Sequence, residues 1–210
     1  KLSHQSVRSK SISHLQKNGM TGHEVIGYTK SGRYVGMTLA SAANNVGKTI
    51  EEFAYDLIIE EDGVETLIFP WPTPHQENEE ILNQTAAHPK MMIASDGIYE
   101  VPHPHPRGYG CFAQVLRKFV RERKIIPLEE AIWKMSGFPA ERFGLTDRGQ
   151  IAEGFSADLV VLDPETVADL ATWGDPIQTA VGIDYVMVNG ELVISAAEAT
   201  GKLPGRLLRR

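Results

Sequence analysis

An α/β fold is what this sequence predicts, on three observations. Short apolar stretches alternate with amphipathic ones from Glu24 to Arg148, loops bearing proline and glycine separate them, and from residue 149 onward closely spaced strands take over. Alternation of strand, loop and helix suggests parallel βα units. At 210 residues the chain is long enough to bury a sizeable core, yet shorter than the ~250 residues of a complete (β/α)8 barrel.

The elements follow in order. Residues 1–23 contain no acidic side chain, and serines recur among Lys1, Arg8 and Lys10. Such a start can be a transit peptide, but no apolar stripe accompanies it, so it reads as a loose or cut segment. Within it, Ile12–His14 has the look of a strand end carrying a histidine. His23–Tyr28 reads as extended, and Leu39–Asn44 as a helix of small residues. Gly47 suits a helix C-terminus, where a left-handed residue is wanted. Thr49 and Glu52 form a capping box for a helix to Glu60, with Phe53, Leu57 and Ile58 on one face. Asp62-Gly63 turns the chain into a strand over Val64–Phe69. Pro70, Pro72 and Pro74 then bar regular structure, and a polar helix over Gln76–Thr85 turns Ile81 and Leu82 inward.

Met91–Ala94 reads as a short apolar strand ending in Ser95-Asp96-Gly97. The loop Pro102–Gly108 leads to an amphipathic helix over Cys111–Arg123, with Phe112, Val115, Leu116, Phe119 and Val120 as its apolar set. Pro127 opens a second helix ending near Met135, and Pro139 a third. Ala157–Leu162 has the composition of a buried strand, and Ile183–Val188 is another. Asn189-Gly190 is a type I′ hairpin signal, because that turn needs two residues with φ > 0. Thr200–Arg210 reads as extended coil.

Composition narrows the function. Lys plus Arg number 21 and Asp plus Glu 27, a net charge of −6 with no basic cluster, which argues against nucleic-acid and anionic-membrane partners. Apolar runs of about six residues fall far short of the ~20 that a membrane-spanning helix needs. The single cysteine, Cys111, excludes an internal disulfide and favours a reducing, cytoplasmic setting.

Several motifs dissolve on inspection. Gly47-Lys48-Thr49 resembles the end of a phosphate-binding loop, but Ala42 stands where its first glycine belongs, and a helix C-cap followed by an N-cap accounts for it. His103-x-His105 has the spacing of a metal grip, but alternating prolines hold it in a surface or lid loop without a carboxylate behind it. Cys111 near a helix start is either a thiol of lowered pKa or a small helix residue.

Asp96 stands out. An aspartate that directly follows an apolar strand lies at the strand's C-terminal end, the catalytic face of a (β/α) barrel. Arg107 lies in the following loop, on the same face, and an arginine there can grip a planar carboxylate with two parallel bonds.

The stretches Ile93-Ala94-Ser95-Asp96-Gly97, His105–Phe112, Leu128–Ile132, Pro139–Leu145, Asp147-Arg148-Gly149, Ala157–Pro164, Gly182–Gly190 and Thr200–Arg206 together resemble the C-terminal part of the D-aminoacylases. These are N-acyl-D-amino-acid deacylases of the metal-dependent amidohydrolase superfamily. The resemblance runs from about His23 to Arg210. It implies an α/β fold made of the C-terminal portion of a TIM-type (β/α)8 barrel over residues 23–148 and a small β-sandwich subdomain over 149–210, with 1–22 poorly matched. It implies that zinc activates a water against the amide carbonyl, that Asp96 is a metal ligand and relays the proton, and that Arg107 holds the substrate's α-carboxylate.

The sequence departs from that pattern elsewhere. Ile12-Ser13-His14 looks faintly like the strand carrying the last metal histidine, making His14 a candidate zinc ligand, but Gln16 stands where the family has a lysine that grips substrate. Most of the zinc ligands match nothing in this chain. The expected activity is release of a carboxylate and a free D-amino acid from an N-acyl-D-amino acid, by an enzyme of which this chain is an incomplete part, inactive alone. A non-catalytic remnant or assembly subunit, and a cyclic amidohydrolase like dihydroorotase or hydantoinase, are the alternatives. Strands with unpaired edges associate with other chains, so the chain is expected to need the missing half or to self-associate.

Overall fold

The computed structural model describes residues 5–17, 19–62, 66–69 and 76–208, a mixed α/β protein. Its described residues form two compact units. The first takes those of Lys1–Thr73 with Ile98–His105 and Thr172–Ile177, and the second takes those of Pro74–Gly97, Pro106–Ala171 and Gln178–Arg210.

In the first unit, helix α1 (Gln5–Lys17) precedes strand β1 (Val25–Thr29), helices α2 (Leu39–Asn45) and α3 (Ile50–Glu60), and strand β2 (Thr66–Phe69). Ile26, Leu39, Ala42, Ala43, Phe53 and Leu57 form its buried centre. Thr38 caps α2, Gly47 adopts φ +66° beyond its end, and Thr49 and Glu52 complete the expected capping box. The phosphate-loop resemblance is therefore a cap followed by a cap. β1 and β2 pair antiparallel, Val25 opposite Phe69 and Thr29 opposite Thr66. Residues 63–65 and the three prolines from Pro70 to Pro74 lie outside the described residues.

The loose start is corrected: residues 5–17 are helical. No residue of α1 is buried, but Arg8 holds Asp56 of α3 through three bonds of 2.9, 3.0 and 3.2 Å. Ile12–His14 therefore lies on a helix rather than at a strand end.

The second unit contains helix α4 (Gln76–Ala87), helix α5 (Arg107–Gln114) continuing in wider π-type turns over Val115–Glu122, helices α6 (Leu128–Met135) and α7 (Gly137–Phe143), and strands β3 (Leu159–Leu162), β4 (Ile183–Val188), β5 (Glu191–Ser195) and β6 (Glu198–Ala199). Its core joins Ala113, Val115, Leu116, Ile126, Ala131 and Val167, with Leu162 and Ile183 packed against them, so packing continues across residue 149. The strands form one antiparallel sheet in the order β3-β4-β5-β6. Asn189 and Gly190, at φ +46° and +82°, make the expected hairpin turn between β4 and β5.

Four further expectations fail for identifiable reasons. Every strand pair among the described residues is antiparallel: β1 and β2 flank α2 and α3 yet run opposite ways, β3 and β4 are joined by a long irregular connection, and β4, β5 and β6 by short turns. Met91–Ala94 is not a strand: no neighbour pairs with it among the described residues, and the amide of Ile93 bonds instead to the Lys134 carbonyl at 3.1 Å. Ile81 and Leu82 of α4 are exposed; so is Phe112 of α5, a helix that begins four residues early at Arg107 and whose buried face, continued into the π-type turns, carries Ala113, Val115 and Leu116. β3 is an edge strand with Leu159, Val160 and Val161 exposed, so its apolar run does not report burial.

Two polar contacts carry measurable stability. Lys134 is 1% exposed, and its ammonium donates to the carbonyls of Ala86 (2.6 Å) and His88 (2.9 Å) and pairs with Glu130 at 2.9 Å. The cation thus satisfies carbonyls left over at the end of α4. Lys134→Met leaves them without that donor, so urea unfolding is expected to show a loss of about 2–3 kcal/mol; an unchanged midpoint would contradict this role.

Asp169 accepts from Arg117 Nε at 2.7 Å and from Gln114 at 3.2 Å. Burial alone would raise its carboxyl pKa, but these bonds outweigh it and hold the group below the ordinary carboxylate value. A depressed carboxylate contributes stability that is present above its unfolded pKa of ~3.9 and lost as pH falls through the folded value. Asp169→Asn is therefore expected to be less stable at neutral pH and to lose less on acidification below about pH 4. Parallel stability–pH curves for variant and wild type in that range would exclude it.

Candidate active site

Asp96 follows the apolar segment 91–94 in the left-handed conformation, at φ +46°. Aspartate is one of the few residues with a side chain that tolerates this region, and Gly97 follows it. Its carboxylate is 80% exposed. Pro106 precedes α5, and Arg107 is the first residue of that helix. From there Arg107 Nη2 meets Asp96 Oδ2 at 2.7 Å while its Nε donates to the Asp96 main-chain carbonyl at 3.0 Å.

The two residues singled out in the sequence are thus brought together within one unit, by side chain and backbone at once. An exposed ion pair of this kind contributes only about 0–1 kcal/mol to stability. What it fixes is direction: the guanidinium holds the carboxylate and the peptide that carries it. The arrangement places a carboxylate in a defined position beside a planar guanidinium.

Of the other candidates, His14 and the His103–His105 loop belong to the first unit and Cys111 to the second. His14 lies on α1, on the surface of the first unit. The His103–His105 loop is packed rather than open, which corrects the surface-loop expectation. Pro104 is fully buried, His103 Nε2 lies 2.8 Å from the Trp173 carbonyl, and the His105 ring meets the rings of Phe69 and Trp173 edge-on at 5.6 and 4.5 Å. Its histidines serve packing there. Cys111 is half-buried, and burial pushes its thiol pKa up, with only a partial opposing pull from the Arg107 charge. Its Sγ donates to the Ala94 carbonyl at 3.4 Å.

That bond was not foreseen. The signal available was the spacing of Arg107 and Cys111, four residues apart and hence on one helical face. Among the described residues no three His, Cys, Asp or Glu side chains gather into a group able to hold a metal ion. No helix among them is long and apolar enough to cross a membrane.

The α/β chain thus sets an aspartate after an apolar segment against an arginine on the next helix. The chain belongs to the amidohydrolase family, whose model matches residues 74–194 and so takes in both site residues. It is 45% identical over 127 residues to an N-acyl-D-aspartate deacylase of Alcaligenes xylosoxydans xylosoxydans, covering 60% of this chain and 26% of that protein. To the D-aminoacylase of the same organism it is 50% identical over 119 residues, covering 57% and 25%. Among solved structures it resembles an N-acyl-D-glutamate deacylase from Bordetella bronchiseptica, complexed with zinc and a phosphonate mimic of the tetrahedral intermediate. There the TM-score is 0.75 and the identity 34%, over 90% of this chain and 38% of that one. The chain spans about a quarter of the length of the curated relatives it matches.

Proposed function

We propose that this chain is the C-terminal part of a zinc-dependent enzyme that hydrolyses the amide of N-acyl-D-amino acids, releasing a carboxylate and a free D-amino acid in the cytoplasm. In this reading the chain supplies the last part of a (β/α)8 barrel and much of a small β-sandwich. The observation that carries it is the double tie between Arg107 and Asp96, in a segment that matches deacylases at 45–50% identity.

Asp96 accepts a proton from the attacking water and delivers it to the departing amine. Arg107 keeps its Nε on the Asp96 carbonyl and offers its Nη nitrogens to the substrate's α-carboxylate. Zinc, when bound, supplies an acidified water and polarises the carbonyl. Three or four ligands are needed for that, and the described residues do not assemble them: Asp96 is the one donor this reading assigns, and His14, on a helix of the other unit, receives no role.

The test is expression of the complete reading frame that contains this sequence. The expected result is release of D-amino acid from N-acyl-D substrates, no reaction with the L forms, loss of activity on chelation and recovery with zinc. Opening of a cyclic amide in place of linear deacylation, or no hydrolysis at all, would overturn the proposal. The 210-residue chain by itself is expected to bind zinc no more tightly than about micromolar and to deacylate nothing, because its described residues gather too few donors. One tightly held zinc after dialysis, with turnover, would contradict this. With β3 open at the sheet edge, the chain alone is also expected to self-associate unless the rest of the enzyme covers it, and a monomer by light scattering would exclude that.

A further inference from the structure

We propose that Cys111 is a positioning residue for Asp96, and that α5 grips the segment Ala94–Asp96 at two points. This rests on the reading of Asp96 as the proton acceptor. Arg107 and Cys111 are four residues apart on α5, so their side chains share a face. Arg107 Nε donates to the carbonyl of Asp96 at 3.0 Å, and Cys111 Sγ to that of Ala94 at 3.4 Å. Four residues of helix advance ~6 Å. Two residues of extended chain advance ~6.6 Å. The two spans are of similar length, and one helical face holds the carbonyls of both Ala94 and Asp96.

The segment needs such support. It has no strand pairing among the described residues, and the amide of Ile93 on the Lys134 carbonyl ties it down only upstream. Asp96 itself stands at a left-handed turn with its carboxylate exposed, so neither packing nor a ladder fixes it. The Arg107 contacts alone leave a pivot at Asp96. The Cys111 bond, two residues upstream, removes the rotation about that pivot. Burial keeps the thiol protonated, the form that donates.

The experiment compares Cys111→Thr with Cys111→Val in the complete enzyme. The two substitutes have the same shape, share the same β-branched cost in a helix, and differ in a hydroxyl donor against a methyl. Cys111→Thr is expected to keep kcat within about twofold of wild type, while Cys111→Val loses about tenfold in kcat with KM unchanged, since small misplacements of a reacting group act on the chemical step. Equal kcat for the two variants, or a loss confined to KM, would overturn the proposal. Should Val alone fail to fold, Cys111→Ala replaces it in the same comparison. Asp96→Asn is measured alongside. If it retains kcat, the reading of Asp96 falls; if it loses kcat while Cys111→Val does not, only the positioning role falls.

Discussion

Asp96→Asn is expected to lower kcat of the complete enzyme by ~10²–10⁴, the range for loss of a positioned general base, with KM within a few fold of wild type. The substitution removes the proton acceptor and, in this reading, weakens a zinc donor, so zinc content is measured beside kcat and the kcat loss is read on metal-loaded enzyme. Asparagine has the shape of aspartate, tolerates the left-handed backbone that residue 96 adopts, and can still accept a hydrogen bond from Arg107. It cannot take a proton from water. Stability should hardly move, because an exposed ion pair contributes about 0–1 kcal/mol. Steady-state kinetics with an N-acyl-D-amino acid, together with a thermal melt, read both expectations. A full kcat would remove Asp96 from proton transfer, and a large drop in melting temperature would mean that the pair is structural after all.

Much of the local structure was legible because its cause is local. The capping box at Thr49 and Glu52, the left-handed Gly47 and the Asn189-Gly190 turn are each decided by a few neighbouring residues, and each appears as expected. What was not legible depends on partners distant in the chain. Met91–Ala94 has strand composition, but a strand exists only where a neighbour offers its backbone, and here α6 offers one carbonyl. Leu159–Val161 reads as a buried run, yet apolarity alone cannot distinguish a central strand from an edge.

The candidate site divides along the same line. Asp96 and Arg107 could be picked out from residue type and position relative to the apolar stretch. That they bond to each other twice, and that Cys111 bonds beside them, follows from where α5 starts, and the sequence placed that start four residues late. The surface-loop reading of His103–His105 failed because Trp173, which gives those rings their surroundings, is about 70 residues away in the chain.

The double tie also changes what Arg107→Ala should do. As a carboxylate grip acting alike on ground and transition states, the arginine contributes roughly 1.5–3 kcal/mol of binding. Its loss should then raise KM by ~10–10² with kcat little changed. The contacts at 2.7 and 3.0 Å give it a second load, the placement of Asp96, and that load falls on the chemical step. The expected result is a rise in KM accompanied by a fall in kcat. Arg107→Lys should recover part of the affinity but little of the kcat, because a point charge cannot bond the side chain and the main-chain carbonyl of Asp96 in one plane. A neutral substrate separates the two loads. An N-acyl amine lacking the α-carboxylate has nothing for the grip to hold, so wild type and Arg107→Ala should share its high KM, while the variant still turns it over more slowly. Equal kcat on that substrate would leave Arg107 as a grip alone. Undiminished preference of the variant for the carboxylate-bearing substrate would remove the grip and leave Arg107 only the task of holding Asp96.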